Sequence, residues 1–97
     1  MRGFLSFTVL RLINKKPMSG EELREELAKR KGCRPSPGTI YPVLKALSES
    51  GFIREEKDGG KVKTYIITKT GERELYRATR KFVEMFYDMK EEFEKLR

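Results

Sequence analysis

The 97-residue chain contains no histidine, no tryptophan and no glutamine, and its single cysteine is Cys33. Without histidine, the chain lacks the usual general base and the most frequent metal ligand of proteins. One cysteine excludes a disulfide within the chain and any metal site built from several thiolates. We therefore expect neither an enzyme nor a cofactor-binding protein, and a reducing, cytoplasmic setting fits this cysteine usage best.

Long apolar runs are also absent. No stretch of 18 apolar residues occurs, so no membrane-spanning helix is predicted. The apolar amino-terminal stretch is interrupted by Arg11 and lacks a small-residue cleavage site, which indicates a first helix and not a signal peptide. A chain of this length fits one small domain with a modest core, for which oligomerisation is a common supplement.

Positive charge is abundant and unevenly distributed. The formal net charge is +7. Residues 1–68 hold 14 basic and 8 acidic side chains, an excess of six, whereas residues 69–97 hold 8 and 7, an excess of one. This distribution predicts an anionic partner for the first two thirds of the chain and a charge-balanced exposed helix for the last third.

Apolar spacing and capping signals predict three successive helices. The first covers residues 3–15. The second begins at a capping box formed by Ser19 and Glu22 and ends near Gly32. The third runs from about residue 36 to residue 50, and its inward stripe consists of Ile40, Val43, Leu44 and Leu47.

The start of the third helix is unusual because it lies between two prolines. Ser36 is a suitable N-cap whose hydroxyl can accept from an early helical N–H, and Pro37 occupies the first helical position. Pro42 lies further in, where a proline disturbs a helix. This first turn is therefore predicted to serve contact with a partner more than helix stability. Gly51 is expected to close the helix.

A β-hairpin and a last helix are predicted after the three helices. One strand begins at residues 52–54, residues 58–60 form the turn, and residues 61–67 form the returning strand. Thr68 or Thr70 caps a helix that could run to residue 96. The fold class is thus mainly α with a small β-hairpin: a winged helix-turn-helix domain over residues 1–68 and a carboxy-terminal dimerisation helix over residues 69–97.

In a winged helix-turn-helix, the third helix enters the major groove of double-stranded DNA and the hairpin contacts the backbone. Glycine permits close approach of a phosphate to the amino end of that helix, where the dipole favours an anion. The predicted helix contacts lie in or before the outward face of the third helix and comprise Arg34, Ser36, Gly38, Thr39, Tyr41, Pro42 and Lys45. The predicted wing contacts are the lysines around the turn, Lys57, Lys61 and Lys63.

The last helix carries a heptad seam with spacings of four and three, formed by Leu75, Thr79, Phe82, Phe86, Met89, Phe93 and Leu96. A helix from residue 69 to residue 96 is about 42 Å long at about 1.5 Å per residue, more than a small winged core can cover. A second copy of the chain is the simplest cover. The alternative is that the helix folds back on the first helix, which is plausible near Leu75 and Ala78 only.

The segment SPGTIYPVLKALSESGFI, residues 36–53, resembles the recognition-helix signature of the PadR family of transcriptional regulators. KTYIITKTG, residues 63–71, resembles that family's second wing strand and helix entry, and Gly20 and Leu23 match a weaker motif. The resemblance covers about residues 3–75 and implies a dimeric winged-helix repressor of the short branch, bound to operator DNA. The sequence departs from the family at Glu21, often aromatic, and at the wing tip, residues 58–63.

A two-fold dimer predicts a palindromic operator. Two further possibilities remain open at this point. Some short relatives of the resembled family bind flat aromatic drugs between subunits, so a small-molecule effector at the dimer interface is conceivable, although the apolar residues there also suit a plain dimer core. The alternative function is a winged-helix protein–protein interaction module without operator-specific DNA binding.

Overall fold

The computed structural model describes residues 3–31, 34–58 and 62–96. Its elements in chain order are α1 Phe4–Lys15, β1 Met18–Ser19, α2 Gly20–Lys31, α3 Pro37–Glu49, β2 Ile53–Asp58, β3 Val62–Ile67, α4 Lys69–Asp88 and α5 Lys90–Lys95. The order of three helices, a hairpin and a carboxy-terminal helix confirms the predicted winged helix-turn-helix class. The division into residues 1–68 and 69–97 stays a prediction.

Helix α1 lies at the centre of the core. Val9 and Leu10 are fully buried on different sides of this helix, so its apolar surface is covered on more than one side. The core joins all three helices to the sheet and to the start of α4, and it consists of Val9, Leu10, Leu12, Ile13, Met18, Leu23, Leu27, Ile40, Leu44, Leu47, Ile53, Tyr65 and Leu75. Leu75, assigned by the heptad pattern to the dimer seam, is therefore mostly buried in its own chain.

The capping box of α2 is confirmed. The backbone N–H of Glu22 donates to Ser19 Oγ at 3.1 Å, and the backbone N–H of Ser19 donates to Glu22 Oε1 at 3.0 Å. That backbone donation is the main reason why the pKa of the Glu22 carboxyl is lowered. The two reciprocal bonds fix the first turn of α2 and the chain that enters it.

The sheet has a third strand that the sequence did not predict. Met18 and Ser19 pair antiparallel with Tyr65 and Thr64, so the strand order is β1, β3, β2. A two-residue strand is too short to show an alternating pattern. The hairpin itself was predicted, and its register runs from Ile53 opposite Ile67 to Asp58 opposite Val62.

The cap of α3 differs from the prediction. Ser36 occupies the N-cap position, but its hydroxyl accepts no helical N–H. Instead that hydroxyl lies 3.2 Å from the hydroxyl of Thr39, a competing partner, and the Ser36 carbonyl accepts from the N–H groups of Thr39 and Ile40. At the other end, Gly51 closes the helix with a φ of +78°, as predicted.

Thr68 caps α4. Its Oγ1 accepts from the N–H of Gly71 at 3.0 Å, and its hydroxyl donates to the Gly51 carbonyl at 2.6 Å. Gly71 is buried against the chain at residue 52. A Cβ at this position would collide with the Phe52 carbonyl, so only glycine fits. The start of α4 is therefore locked onto the end of α3 and the start of β2.

The last helix is interrupted, contrary to the prediction of one continuous helix to Leu96. Helix α4 ends at Asp88, Met89 adopts φ −93° and ψ 3°, and α5 resumes one residue later. The N–H of Met89 still donates to the carbonyls of Met85 and Phe86, and its carbonyl accepts from the N–H of Phe93, so the interruption is confined to this residue. Within residues 3–31, 34–58 and 62–96, no helix is both long and apolar enough to cross a membrane.

Candidate nucleic-acid interface

Helix α3 has one buried face and one exposed face, as predicted. Ile40, Leu44 and Leu47 point into the core. On the opposite side Tyr41 is 44% exposed, and Lys45, one turn further along, is also exposed. Tyr41 and Lys45, two of the residues proposed from the sequence to contact DNA, are thus available to a ligand.

The first turn of α3 is open to solvent. Gly38, Thr39 and Pro42 are all exposed, and a Cβ added to Gly38 would meet nothing closer than the Ser36 hydroxyl at 3.7 Å. The ring of Pro42 removes the N–H that would otherwise donate to the Gly38 carbonyl. The turn therefore presents backbone and small side chains, a surface that a phosphate can approach closely.

Tyr41 does not extend freely into solvent but leans against the start of α2. A Cβ built on Gly20 would lie 2.7 Å from the Tyr41 hydroxyl oxygen and 2.8 Å from the ring carbon that bears it. Only glycine leaves room for this packing. Gly20 therefore sets the direction in which the phenol of Tyr41 points.

A groove of about 570 Å³ separates the start of α2 from α3 and the hairpin, and it is lined by Ser19, Gly20, Glu21, Tyr41, Val62, Lys63 and Tyr65. Tyr65 was not among the predicted site residues. Its side chain is only 5% exposed. Burial, followed by the negative charge of Glu55, raises the pKa of its phenol.

The loop before α3 is attached to α2 by two arginines. Arg24 Nε donates to the Pro35 carbonyl at 2.8 Å, and Arg24 Nη1 donates to both carboxylate oxygens of Glu21 at 2.7 and 2.9 Å. Arg34, a predicted DNA contact, lies 3.7 Å from both Glu21 and Glu25. Its guanidinium thus faces acidic side chains of α2, and an approaching phosphate would compete with them.

The hairpin supplies fewer free cations than its lysine count indicates. Lys63 lies 3.6 Å from Glu55 on the paired strand. Lys57 is exposed, opposite Lys63 in the register. Lys61, the third predicted wing contact, lies outside the described residues. The acidic neighbours reduce the positive field of the described part of the wing.

Most of the heptad seam of α4 and α5 is exposed. Beyond Leu75, Phe82, Phe86, Met89 and Phe93 are between 37% and 50% exposed, and Leu96 is 82% exposed. Thr79 is also exposed. Phe82 stacks on Phe7 of α1 with ring centroids 5.9 Å apart, so part of this helix packs on its own chain. The distal part forms an apolar face without a described partner.

Metal coordination finds no support in the geometry of this surface. Among the described residues, no group of three or more cysteine, aspartate or glutamate side chains is close enough together to hold a metal ion. The described features of the surface are instead an exposed helix face, lysines and a groove lined by two tyrosines.

Comparison with known proteins agrees with this geometry. An uncharacterized protein of Lysinibacillus sphaericus is 31% identical over 91 residues, covering 88% of this chain and 84% of that protein. The crystal structure of a conserved protein of unknown function, described as a potential transcriptional factor, is 34% identical with a TM-score of 0.81, over 99% of this chain and 93% of that chain. A PadR family transcription regulator from Clostridium difficile shares the fold, with 20% identity, a TM-score of 0.79 and coverage of 94% and 99%.

The family model that matches the chain is that of the transcriptional regulator PadR-like family, over residues 9–77. This segment runs from the middle of α1 through α3 and the hairpin into α4, and therefore includes the whole exposed face of α3. The match extends over most of the chain and confirms the resemblance seen in the sequence. The chain belongs to the PadR-like family of transcriptional regulators.

Proposed function

We propose that the protein is a sequence-specific DNA-binding repressor that binds a palindromic operator as a homodimer. The observation that carries this proposal is the exposed outward face of α3, with Tyr41 and Lys45 one turn apart, in a winged helix of a transcriptional regulator family. In this fold class, such a helix enters the major groove.

The first turn of α3 suits the DNA backbone. Gly38 and Thr39 are exposed at the amino end of α3, where the positive end of the helix dipole attracts a phosphate. The Thr39 hydroxyl can add a hydrogen bond. Ser36 and Pro42 border this turn and complete the predicted backbone contact.

Tyr41 and Lys45 are the side chains best placed to reach into the major groove of the DNA. A lysine ammonium can donate to guanine O6 and N7 or to a phosphate, and a phenol can donate to either kind of acceptor. Lys57 and Lys63 on the hairpin would neutralise phosphates without reading sequence. Contact by Arg34 requires that its guanidinium leave Glu21 and Glu25, and contact by Lys61 stays a prediction.

The apolar face of α4 and α5 supports the homodimer. Removing one apolar side chain from water contributes about 1.5–3 kcal/mol before the costs of association and ordering are subtracted. Phe86, Met89, Phe93 and Leu96 lie beyond the part of α4 that packs on α1. A second copy of the same helix offers a matching apolar face. An effector site between the subunits stays a prediction without assigned residues.

The experiment that tests this proposal is a mobility-shift titration with genomic fragments enriched by the purified protein and mapped by footprinting. We expect Tyr41→Ala and Lys45→Ala to lose operator binding while the dimer persists. Lys90→Ala on α5 is the matched control, because it removes the same charge far from α3. If the dimer makes about 6–10 phosphate contacts, affinity falls about 10³–10⁵-fold between 50 and 200 mM salt.

Two outcomes would contradict the proposal. Operator binding that survives in both α3 variants would exclude α3 as the recognition helix. Failure of the wild-type protein to shift any duplex, even at low salt, would favour the winged-helix protein interaction module instead.

A further inference from the structure

The groove between α2, α3 and β3 contains a phenol without a hydrogen bond. Tyr65 is 5% exposed, yet no hydrogen bond joins its hydroxyl to any residue that the structure describes. Buried polar groups in proteins are nearly always paired. In the described parts of the chain, every fully enclosed side-chain nitrogen or oxygen has a hydrogen-bond partner, so the unpaired Tyr65 hydroxyl lies open to the groove.

The opposite wall of the groove is the amino end of α2. Ser19 and Gly20 line it at the point where the helix starts. The first turn of a helix has N–H groups without intrahelical acceptors and carries a partial positive charge. The Ser19 hydroxyl satisfies only the N–H of Glu22. An anion in the groove would therefore face the dipole of a 12-residue helix, at an end where the Glu22 carboxylate already accepts from the Ser19 N–H.

Charged side chains around the groove also permit an anion. Lys63 lines it and needs only to leave Glu55, 3.6 Å away. Glu21 lines it as well, but its carboxylate accepts two hydrogen bonds from Arg24. A tyrosine hydroxyl is protonated at physiological pH and can therefore donate, and burial raises the pKa of Tyr65 further.

We propose that this groove binds a phosphodiester group of the operator backbone, to which the hydroxyls of Tyr65 and Tyr41 donate beside the amino end of α2. This inference rests on the proposed DNA-binding function and adds a backbone contact that flanks α3 on the side of the hairpin. Phosphate is favoured over a base edge because the groove combines hydroxyl donors, a helix amino end and a lysine, the groups that most often contact phosphates. Tyr65 thereby becomes a DNA-contacting residue.

Tyr65→Phe tests the inference, because it removes the hydroxyl and leaves the ring in the core. We expect an unchanged melting temperature, since no hydrogen bond within the described chain is lost. Operator affinity should fall about tenfold, the usual effect of losing a hydrogen bond to a charged group. Tyr76→Phe is the matched control, because that tyrosine is 67% exposed on α4 and lies outside the groove.

A set of operators with one neutral methylphosphonate at each backbone position locates the contact. Wild-type protein should lose affinity at every contacted phosphate, and at one symmetric position in each half-site Tyr65→Phe should be insensitive to the replacement. Equal affinity of wild type and Tyr65→Phe, or equal sensitivity at every position, would overturn this inference and leave the proposed function intact. Absence of wild-type binding to any duplex would overturn both.

Discussion

At the scale of single residues, two buried glycines permit close packing of very different kinds. A Cβ at Gly20 would meet the end of the Tyr41 side chain, which can rotate away. A Cβ at Gly71 would collide with the backbone carbonyl of Phe52, which is fixed between α3 and β2. The first glycine should therefore matter for the direction of a ligand-facing side chain, and the second for the fold.

Alanine at each glycine should separate these roles. We expect Gly20→Ala to keep the unfolding free energy within about 1 kcal/mol of wild type, because only a flexible side chain must move. Its operator affinity should fall about tenfold, or about 1.4 kcal/mol, because Tyr41 is displaced. Gly71→Ala should lower the unfolding free energy by about 3 kcal/mol through backbone displacement. Urea denaturation and mobility-shift titration measure the two quantities.

Each variant is the control for the other. A Gly20→Ala protein with wild-type operator affinity would mean that the position of Tyr41 is irrelevant to binding. A Gly71→Ala protein as stable as wild type would mean that the chain around Phe52 yields easily to an added methyl group.

The sequence predicted which side of a helix a residue faces more readily than it predicted contacts between different helices and strands. The helical period predicted the outward direction of Tyr41 and Lys45 correctly, because that direction depends only on α3 itself. The ion pairs of Arg34 with α2 and the open hydroxyl of Tyr65 depend on how elements pack. No local pattern encodes such packing, so both escaped prediction.

At the scale of elements, local signals predicted the starts of the helices, and the expected capping bonds form at α2 and α4 but not at α3. The α2 capping box is the clearest case. The break at Met89 was not predicted, because residues 85–90 contain neither proline nor glycine. The heptad spacing continues through the break, so periodicity carried no sign of it.

The apolar face of α4 leads to an element-scale prediction. Phe86 is 43% exposed in the single chain and lies in the middle of the seam. Phe86→Glu would bury a charge between two copies, which costs several kcal/mol. We expect the dimer dissociation constant to rise at least about a hundredfold, measured by analytical ultracentrifugation across a concentration series.

Arg80→Glu is the matched control, because it introduces the same residue on the same helix. Arg80 lies away from the seam and pairs with Glu84 at 3.7 Å, an exposed ion pair of small energetic value. Its dimer dissociation constant should stay close to that of wild type. A monomeric wild-type protein at micromolar concentration, or a fully dimeric Phe86→Glu protein, would contradict dimerisation through this face.

At the scale of the whole molecule, DNA recognition requires that two features act together. The outward face of α3 and the apolar face of α4 and α5 belong to one chain, and the start of α4 is fixed to the end of α3 by the Thr68 and Gly51 hydrogen bond. A dimer joined through its carboxy-terminal helices would therefore hold its two recognition helices at a defined separation. For a two-fold dimer of this class that separation is about 34–36 Å, one turn of DNA.

A fixed separation predicts a strict dependence on half-site spacing. Five base pairs inserted at the centre of the mapped operator rotate one half-site by about half a turn and move it by about 17 Å. We expect affinity to fall at least about a hundredfold, to the level of a single half-site, because the second subunit can no longer engage. The control is the same five base pairs inserted outside the palindrome, which leaves both half-sites in place. If mobility-shift titrations gave equal affinities for both duplexes, the subunits would have to bind independently, and the rigid connection between α3 and the dimer helix would be wrong.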